Sequence, residues 1–182
     1  METAKNNNSF WTDMLRPVVV LVVICLVASA LLGFVNAKTA PVIAENEKAA
    51  LAEAMRVALP AATSFEELPI SDELASKGVT GFYAGNDGTG YVVVAANKGY
   101  GGDVVVTVGF DPQGSILNVD ANVSTETQGV GSKVGERTIL DRFTGLSGNA
   151  NDVTLRSGAT YTSNAVRSSV NAAFEAVAAA IG

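Results

Sequence analysis

From Val18 to Val35 the chain reads VVVLVVICLVASALLGFV, 18 residues without a charge, with Arg16 and Pro17 before it and Lys38 after it. With Leu15 and Ala37 included, the stretch reaches the roughly 20 residues that a helix needs to cross the hydrocarbon core of a bilayer. It also accounts for much of a mean hydropathy of +0.28. Trp11 and Arg16 stand where interfacial anchors belong. The alternative is a cleaved signal peptide, because Val35-Asn36-Ala37 offers small residues where a signal peptidase reads. An apolar run longer than the roughly 7 to 15 residues of an h-region favours an uncleaved anchor. We therefore expect a tail at 1–14 and a transmembrane helix at 15–37. The tail is expected in the cytoplasm, which puts everything after the span outside it. Charge hardly supports that orientation, with Lys5 and Arg16 on one side and Lys38 and Lys48 on the other. Within the span, Cys25 and Ser29 are lipid or partner contacts, or small residues filling a helix face.

Composition removes several chemistries. The 182 residues contain no histidine and one cysteine. This excludes an imidazole general base or metal ligand, a Ser-His-Asp triad, and any disulfide or iron–sulfur cluster built within one chain. Electron transfer here requires a bound group. Twelve Lys plus Arg against 18 Asp plus Glu, a net charge of -6, argue against a nucleic-acid partner.

After the span, ENEKAALAEAMRVAL is rich in strong helix formers, with Leu51, Met55 and Leu59 on one face and Pro60 to end the helix. This helix and a connector fill 38–80. From about Gly81 the pattern changes to Val-, Tyr- and Phe-rich runs separated by glycine. Tyr91 to Ala96, Val104 to Phe110 and Ser115 to Asn122 read as strands. Asp111-Pro112-Gln113-Gly114 reads as the turn of a hairpin. Val166, Val170, Phe174, Val177 and Ile181 form one stripe of a C-terminal helix, with Thr162, Ser163 and Asn164 ahead of it as caps. The fold class is α+β: one N-terminal transmembrane helix, then a domain at 81–182 with a mainly antiparallel sheet and flanking helices.

Two polar, glycine-bearing stretches could carry chemistry: Thr125-Glu126-Thr127-Gln128-Gly129-Val130-Gly131-Ser132-Lys133, and Ser157-Gly158-Ala159-Thr160-Tyr161-Thr162-Ser163 before the last helix. In the second, small residues allow close approach to a ligand, and a helix start offers free N–H groups suited to a phosphate. One of its hydroxyls could bear a phosphate ester. The same residues also make an ordinary capped turn.

Asp152-Val153-Thr154-Leu155-Arg156-Ser157-Gly158-Ala159-Thr160 resembles the flavinylation motif of FMN-binding domains, in which FMN is joined through its phosphate to the last threonine of Ser-Gly-Ala-Thr. That position is Thr160. One span followed by a domain with this motif before its final helix resembles the G subunits of Rnf ion-translocating electron-transport complexes. The C subunit of the sodium-translocating NADH:quinone reductase is a similar protein. The family loop His-x-Glu-Thr-Pro-Gly-Leu-Gly corresponds to Ser124 through Gly131, with Ser124 for histidine, Gln128 for proline and Val130 for leucine.

The resemblance implies covalent FMN at Thr160, with Ser157, Gly158, Ala159 and Thr162 around it and Glu126, Thr127, Gly129, Gly131 and Tyr100 near the flavin. Tyr100, in Gly99-Tyr100-Gly101-Gly102, is equally read as an aromatic in a glycine-rich loop. The resemblance further implies a non-catalytic relay subunit in the inner membrane, among membrane subunits passing electrons from reduced ferredoxin to NAD with coupled ion movement. Attachment implies a flavin transferase of the ApbE type, which uses FAD and magnesium and releases AMP. Asp152 would serve recognition or metal binding during transfer, or is simply an exposed loop aspartate. Readings from other classes are a pilin-like assembly protein and a ligand sensor without covalent attachment. Against the first, Gly33-Phe34 ends the apolar stretch instead of preceding it.

Overall fold

The structure is a computed structural model that describes the backbone of residues 7–182 and the side chains from Met14 onward, that of Asp87 excepted. Lys5 and the side chain of Trp11 lie outside the described residues. The chain divides into two compact units, residues 1–49 and 50–182.

Helix α1 runs from Asn7 to Ala58 with Pro17 and Pro41 inside it. Its stretch from Met14 contains a window of mean hydropathy 3.2 and is long and apolar enough to cross a membrane. The sequence reading separates a span from a second helix, whereas the structure joins them. Pro41 has no N–H for the turn before it, a defect costing about 3 kcal/mol in a helix interior. The Thr39 hydroxyl donates to the carbonyls of Val35 at 3.0 Å and Asn36 at 3.4 Å in that turn. The Ala, Glu and Lys that follow favour helix and carry it on.

In the second unit, β1 (Phe65–Glu67), β2 (Val79–Gly85), β3 (Tyr91–Lys98), β4 (Asp103–Phe110) and β5 (Ile116–Asn122) form a five-stranded sheet in the order β1-β2-β3-β4-β5. Every pairing is antiparallel. The 111–114 turn forms as expected. Gly114 takes φ +82°, a left-handed value that favours glycine, and the Asp111 carboxylate accepts from the N–H groups of Gln113 and Ser115. Short α2 (Asp72–Ser76) and α3 (Arg137–Leu140) lie in connections, and α4 (Thr160–Ile181) closes the chain.

Alternation along β3 divides the core. Val93 joins Val106, Val108, Phe110 and Val119 under α4, while Val92 points to the other face, against Met55, Ala58 and Leu59 at the end of α1. Gly109 is required there, because a Cβ would come within 2.0 Å of the Ala58 carbonyl oxygen. The Val57 carbonyl accepts from Asn118 Nδ2 at 2.8 Å. The helix stops at Ala58, just short of Pro60.

On α4, Val166, Val170, Phe174 and Val177 are buried as the stripe predicts, but Ile181, in the last turn, is 47% exposed. The expected caps are corrected. Thr162, Ser163 and Asn164 lie within the helix, whose N-cap is Ala159 without a side-chain bond. Phe174 meets Phe110 edge-on with centroids 5.3 Å apart. Removing this ring leaves a void between α4 and the end of β4. Phe174→Ala is expected to cost about 3–5 kcal/mol, measured by urea denaturation of the detergent-solubilised chain. A loss under about 1 kcal/mol would show that α4 is not anchored there.

Candidate functional site

Three segments converge at the start of α4. The β3–β4 connection brings Tyr100, the loop after β5 brings Glu126 through Gly131, and Gly158 through Thr162 lead into the helix. Together they line a half-open cavity of about 250 Å³.

Glu126 sits where they meet. It is 5% exposed, and Oε1 accepts from Gly101 N–H at 2.9 Å while Oε2 accepts from Tyr100 N–H at 3.3 Å and from the Thr162 hydroxyl. Thr162, itself 1% exposed, is thus committed to Glu126. Glycines make this approach possible. A Cβ on Gly99 would come within 2.4 Å of Glu126 Oε1, and one on Gly131 would lie 2.7 Å from Oε2 and 2.8 Å from the Thr162 hydroxyl. Burial pushes the Glu126 carboxyl up, but hydrogen bonds from Thr162 and from the backbone of Gly101, Tyr100 and Gly102 outweigh it and hold it below the usual carboxylate range. Among the described residues Glu126 has no cationic partner.

The mouth of the cavity is aromatic. Tyr100 and Tyr161 are 74% and 68% exposed, with ring centroids 6.2 Å apart and planes tilted by 49°. Thr160, the first residue of α4, is exposed. It also lines a second, open cavity of about 380 Å³ with Asp152, Arg156, Ser157, Asn164 and Arg167. There the Arg167 guanidinium donates to Asn164 Oδ1 at 3.1 Å and to the Val153 carbonyl at 3.0 Å, while its Nε is buried without a partner.

Of the sequence-predicted site residues, Tyr100, Glu126, Thr127, Gly131, Gly158, Ala159, Thr160 and Thr162 line the first cavity. Ser157 faces the second. Gly129 lines neither, and its N–H closes the loop by donating to Ser132 Oγ at 2.9 Å. Sequence reasoning missed Tyr161 as a wall residue, although its place directly after Thr160 was a signal. It also missed Val130, 44% exposed at the rim.

A slot of this kind, open at an aromatic edge and bounded by a loop–helix junction, is lined as a site for a small ligand. Residues 99–175 match the FMN-binding domain family. Residues 5–57 match the RnfG N-terminal region. A similar protein is the G subunit of the Na(+)-translocating ferredoxin:NAD(+) oxidoreductase complex of Acetobacterium woodii, 30% identical over 197 aligned positions covering 94% of this chain and 95% of that one. Another is the G subunit of the proton-translocating ferredoxin:NAD(+) oxidoreductase complex of Clostridium ljungdahlii, 27% identical over 170 positions covering 86% of this chain and 88% of that one. The chain belongs to the RnfG family, the G subunits of ferredoxin:NAD oxidoreductase complexes, and carries its FMN-binding domain.

The residues present fit that cofactor. Tyrosine rings and the apolar rim suit a flat aromatic ring. The N–H groups at the start of α4, which no side chain caps, and the Arg156 and Arg167 side chains lining the second cavity suit a phosphate near Thr160.

The depressed Glu126 carboxyl makes the fold acid-sensitive with a defined sign. Its contribution to stability is complete above the unfolded-state value of 4.5 and is lost as pH falls through the lower folded value. Urea midpoints of the wild type are therefore expected to fall on acidification from about pH 6 to about pH 3, and Glu126→Gln to flatten that fall. Identical pH profiles for the two proteins would refute the assignment.

Proposed function

We propose that this protein is the membrane-anchored electron-relay subunit of an ion-translocating ferredoxin:NAD oxidoreductase complex, with FMN esterified through its phosphate to Thr160 Oγ. The observation that carries the reading is the position of Thr160. Its exposed hydroxyl stands on the rim shared by the aromatic slot and the arginine-lined cavity. A phosphodiester there has the slot on one side for the ring, and Arg156 and Arg167 on the other for its charge. The names of the similar subunits from Acetobacterium and Clostridium support the placement in such a complex.

In attachment, Thr160 Oγ attacks the flavin-side phosphorus of FAD. A Thr–O–P bond forms, the pyrophosphate bond breaks, AMP leaves and the hydroxyl proton is released. A separate flavin transferase of the ApbE type, with magnesium, would present the FAD, and the exposure of Thr160 gives it access. Asp152, exposed on the second cavity, is placed to assist recognition. Bound FMN supplies the one- and two-electron chemistry that a chain with no histidine and one cysteine lacks. The chain's own residues position it. Tyr100 and Tyr161 would hold the ring, Gly158 at φ +85° turns the loop so that Thr160 opens α4, and Gly131 leaves room for Glu126 and Thr162.

In this reading 1–14 is a cytoplasmic tail, 15–37 the single transmembrane pass in the inner membrane, 38–80 the connection, whose later part supplies β1 and the start of β2, and 81–182 the extracytoplasmic FMN-binding domain. A tether suits that side, where dissociated flavin would be lost by dilution. The span holds the domain beside the other membrane subunits and lets electrons pass without release of the carrier.

Denaturing gels of the full chain co-expressed with its transferase test the proposal. Flavin fluorescence is expected in the wild type and in Ser157→Ala, and is expected to vanish in Thr160→Ala. A dark wild-type band beside an active transferase, or a bright Thr160→Ala band, would overturn covalent attachment at this residue.

A further inference from the structure

Glu126 is an unusual member of a pocket wall. It is buried, ionised and without a cationic partner among the described residues, and it receives hydrogen bonds from two segments distant in sequence. Tyr100 and Gly101 belong to the β3–β4 connection. Thr162 lies in the first turn of the helix that carries Thr160 and Tyr161. No other hydrogen bond among the described residues joins the 100–101 backbone to the start of α4, directly or through one intermediary. The carboxylate therefore determines where Tyr100 stands relative to Tyr161, and it does so by orienting the backbone on either side of the Tyr100 ring.

Geometry around the carboxylate excludes the alternatives that would make this contact incidental. Gly99 and Gly131 have no space for a Cβ because Glu126 occupies it, and a Cβ on Gly101 would lie 2.2 Å from the Thr125 carbonyl. Two glycines thus clear a path for the Glu126 side chain, and a third lets the backbone at 101 approach Thr125. With no ion pair to it among the described residues, the negative charge is balanced only by N–H and hydroxyl dipoles. A fixed charge beside a redox ring acts on its electronics, since adding electrons next to an anion that has no counter-cation is disfavoured.

Resting on the flavin reading above, we propose that Glu126 is the positioning residue of the pocket: it latches the Gly99–Gly102 backbone to α4, so holding Tyr100 against Tyr161, and its charge lowers the reduction potential of the seated flavin. The role differs from a simple contact with the ring. Removing the side chain frees the tyrosine wall, while replacing it with the neutral amide leaves most of the latch and removes the charge.

Two readouts on the full-length protein test this. The first uses flavin-free protein and amide hydrogen exchange. Glu126→Ala is expected to speed exchange at residues 100 and 101 by about tenfold or more, in line with loss of hydrogen bonds to a charged acceptor, while amides of β3 and β4 keep their protection and report an intact fold. Unchanged exchange at 100 and 101 would overturn the latch. The second uses flavin-loaded protein equilibrated at one ambient potential. Glu126→Gln is expected to raise the ratio of reduced to oxidised flavin by about tenfold, with exchange at 100 and 101 slower than in Glu126→Ala. An unchanged or lowered ratio would overturn the electrostatic role. Failure of every variant, wild type included, to hold flavin would count against the function proposed above, whereas the exchange result would still decide the latch.

Discussion

An ionised carboxylate inside a protein is costly unless donors replace the water it has lost. Glu126 meets that condition with donors from places far apart in sequence, and this requirement brings the β3–β4 connection, the loop after β5 and the first turn of α4 to one point. The cavity is the space left around that junction. Its walls are polar where they face the carboxylate and aromatic where they face solvent, a division that follows from satisfying one charge from the inner side alone.

The junction can form only because its three segments hang from a rigid platform. Strands β3 and β4 are paired from Tyr91↔Phe110 to Lys98↔Asp103, so the connection carrying Tyr100 emerges at a fixed place. Valines of alternating orientation let that sheet bury both faces, one under α4 and one under the end of α1. Each fully buried valine contributes about 1.5–3 kcal/mol, so the platform's stability is spread over many contacts. The site, by contrast, depends on a few directional bonds. Polar groups concentrated at one edge of an apolar platform can be arranged for a ligand without weakening the core beneath.

Much of this was legible in the sequence because it is local. Runs of valine marked β3 and β4, Asp111 and Gly114 marked the link from β4 to β5, and the four-residue spacing of Val166, Val170 and Phe174 marked α4. Most residues of the cavity were likewise legible, through the motif ending at Thr160 and the glycine loop after β5. What was missed is long-range. Thr162 reads as a cap because hydroxyls before a helix usually are caps, and only the fold reveals that Glu126 claims it. The continuity of α1 through Pro41 draws on the helix formers that follow it, a cooperative property that single-residue breaker rules do not contain. Strand β1 is three residues long and carries two glutamates, too short for any alternation to register.

In the proposed function Thr160 would combine two demands that ordinarily conflict. A nucleophile that a separate enzyme must reach has to be exposed and on an accessible loop, whereas a cofactor that exchanges electrons has to be held at a reproducible distance and orientation. Placing the residue at the first position of α4 answers both. The hydroxyl projects from a helix start that no side chain caps, and the backbone behind it is fixed by a helix of 22 residues packed across the sheet. In the proposed attachment a tether would remove only translational freedom, so orientation would still have to come from the walls. On that reading the aromatic wall needs an anchor of its own, the role proposed above for the buried Glu126 carboxylate.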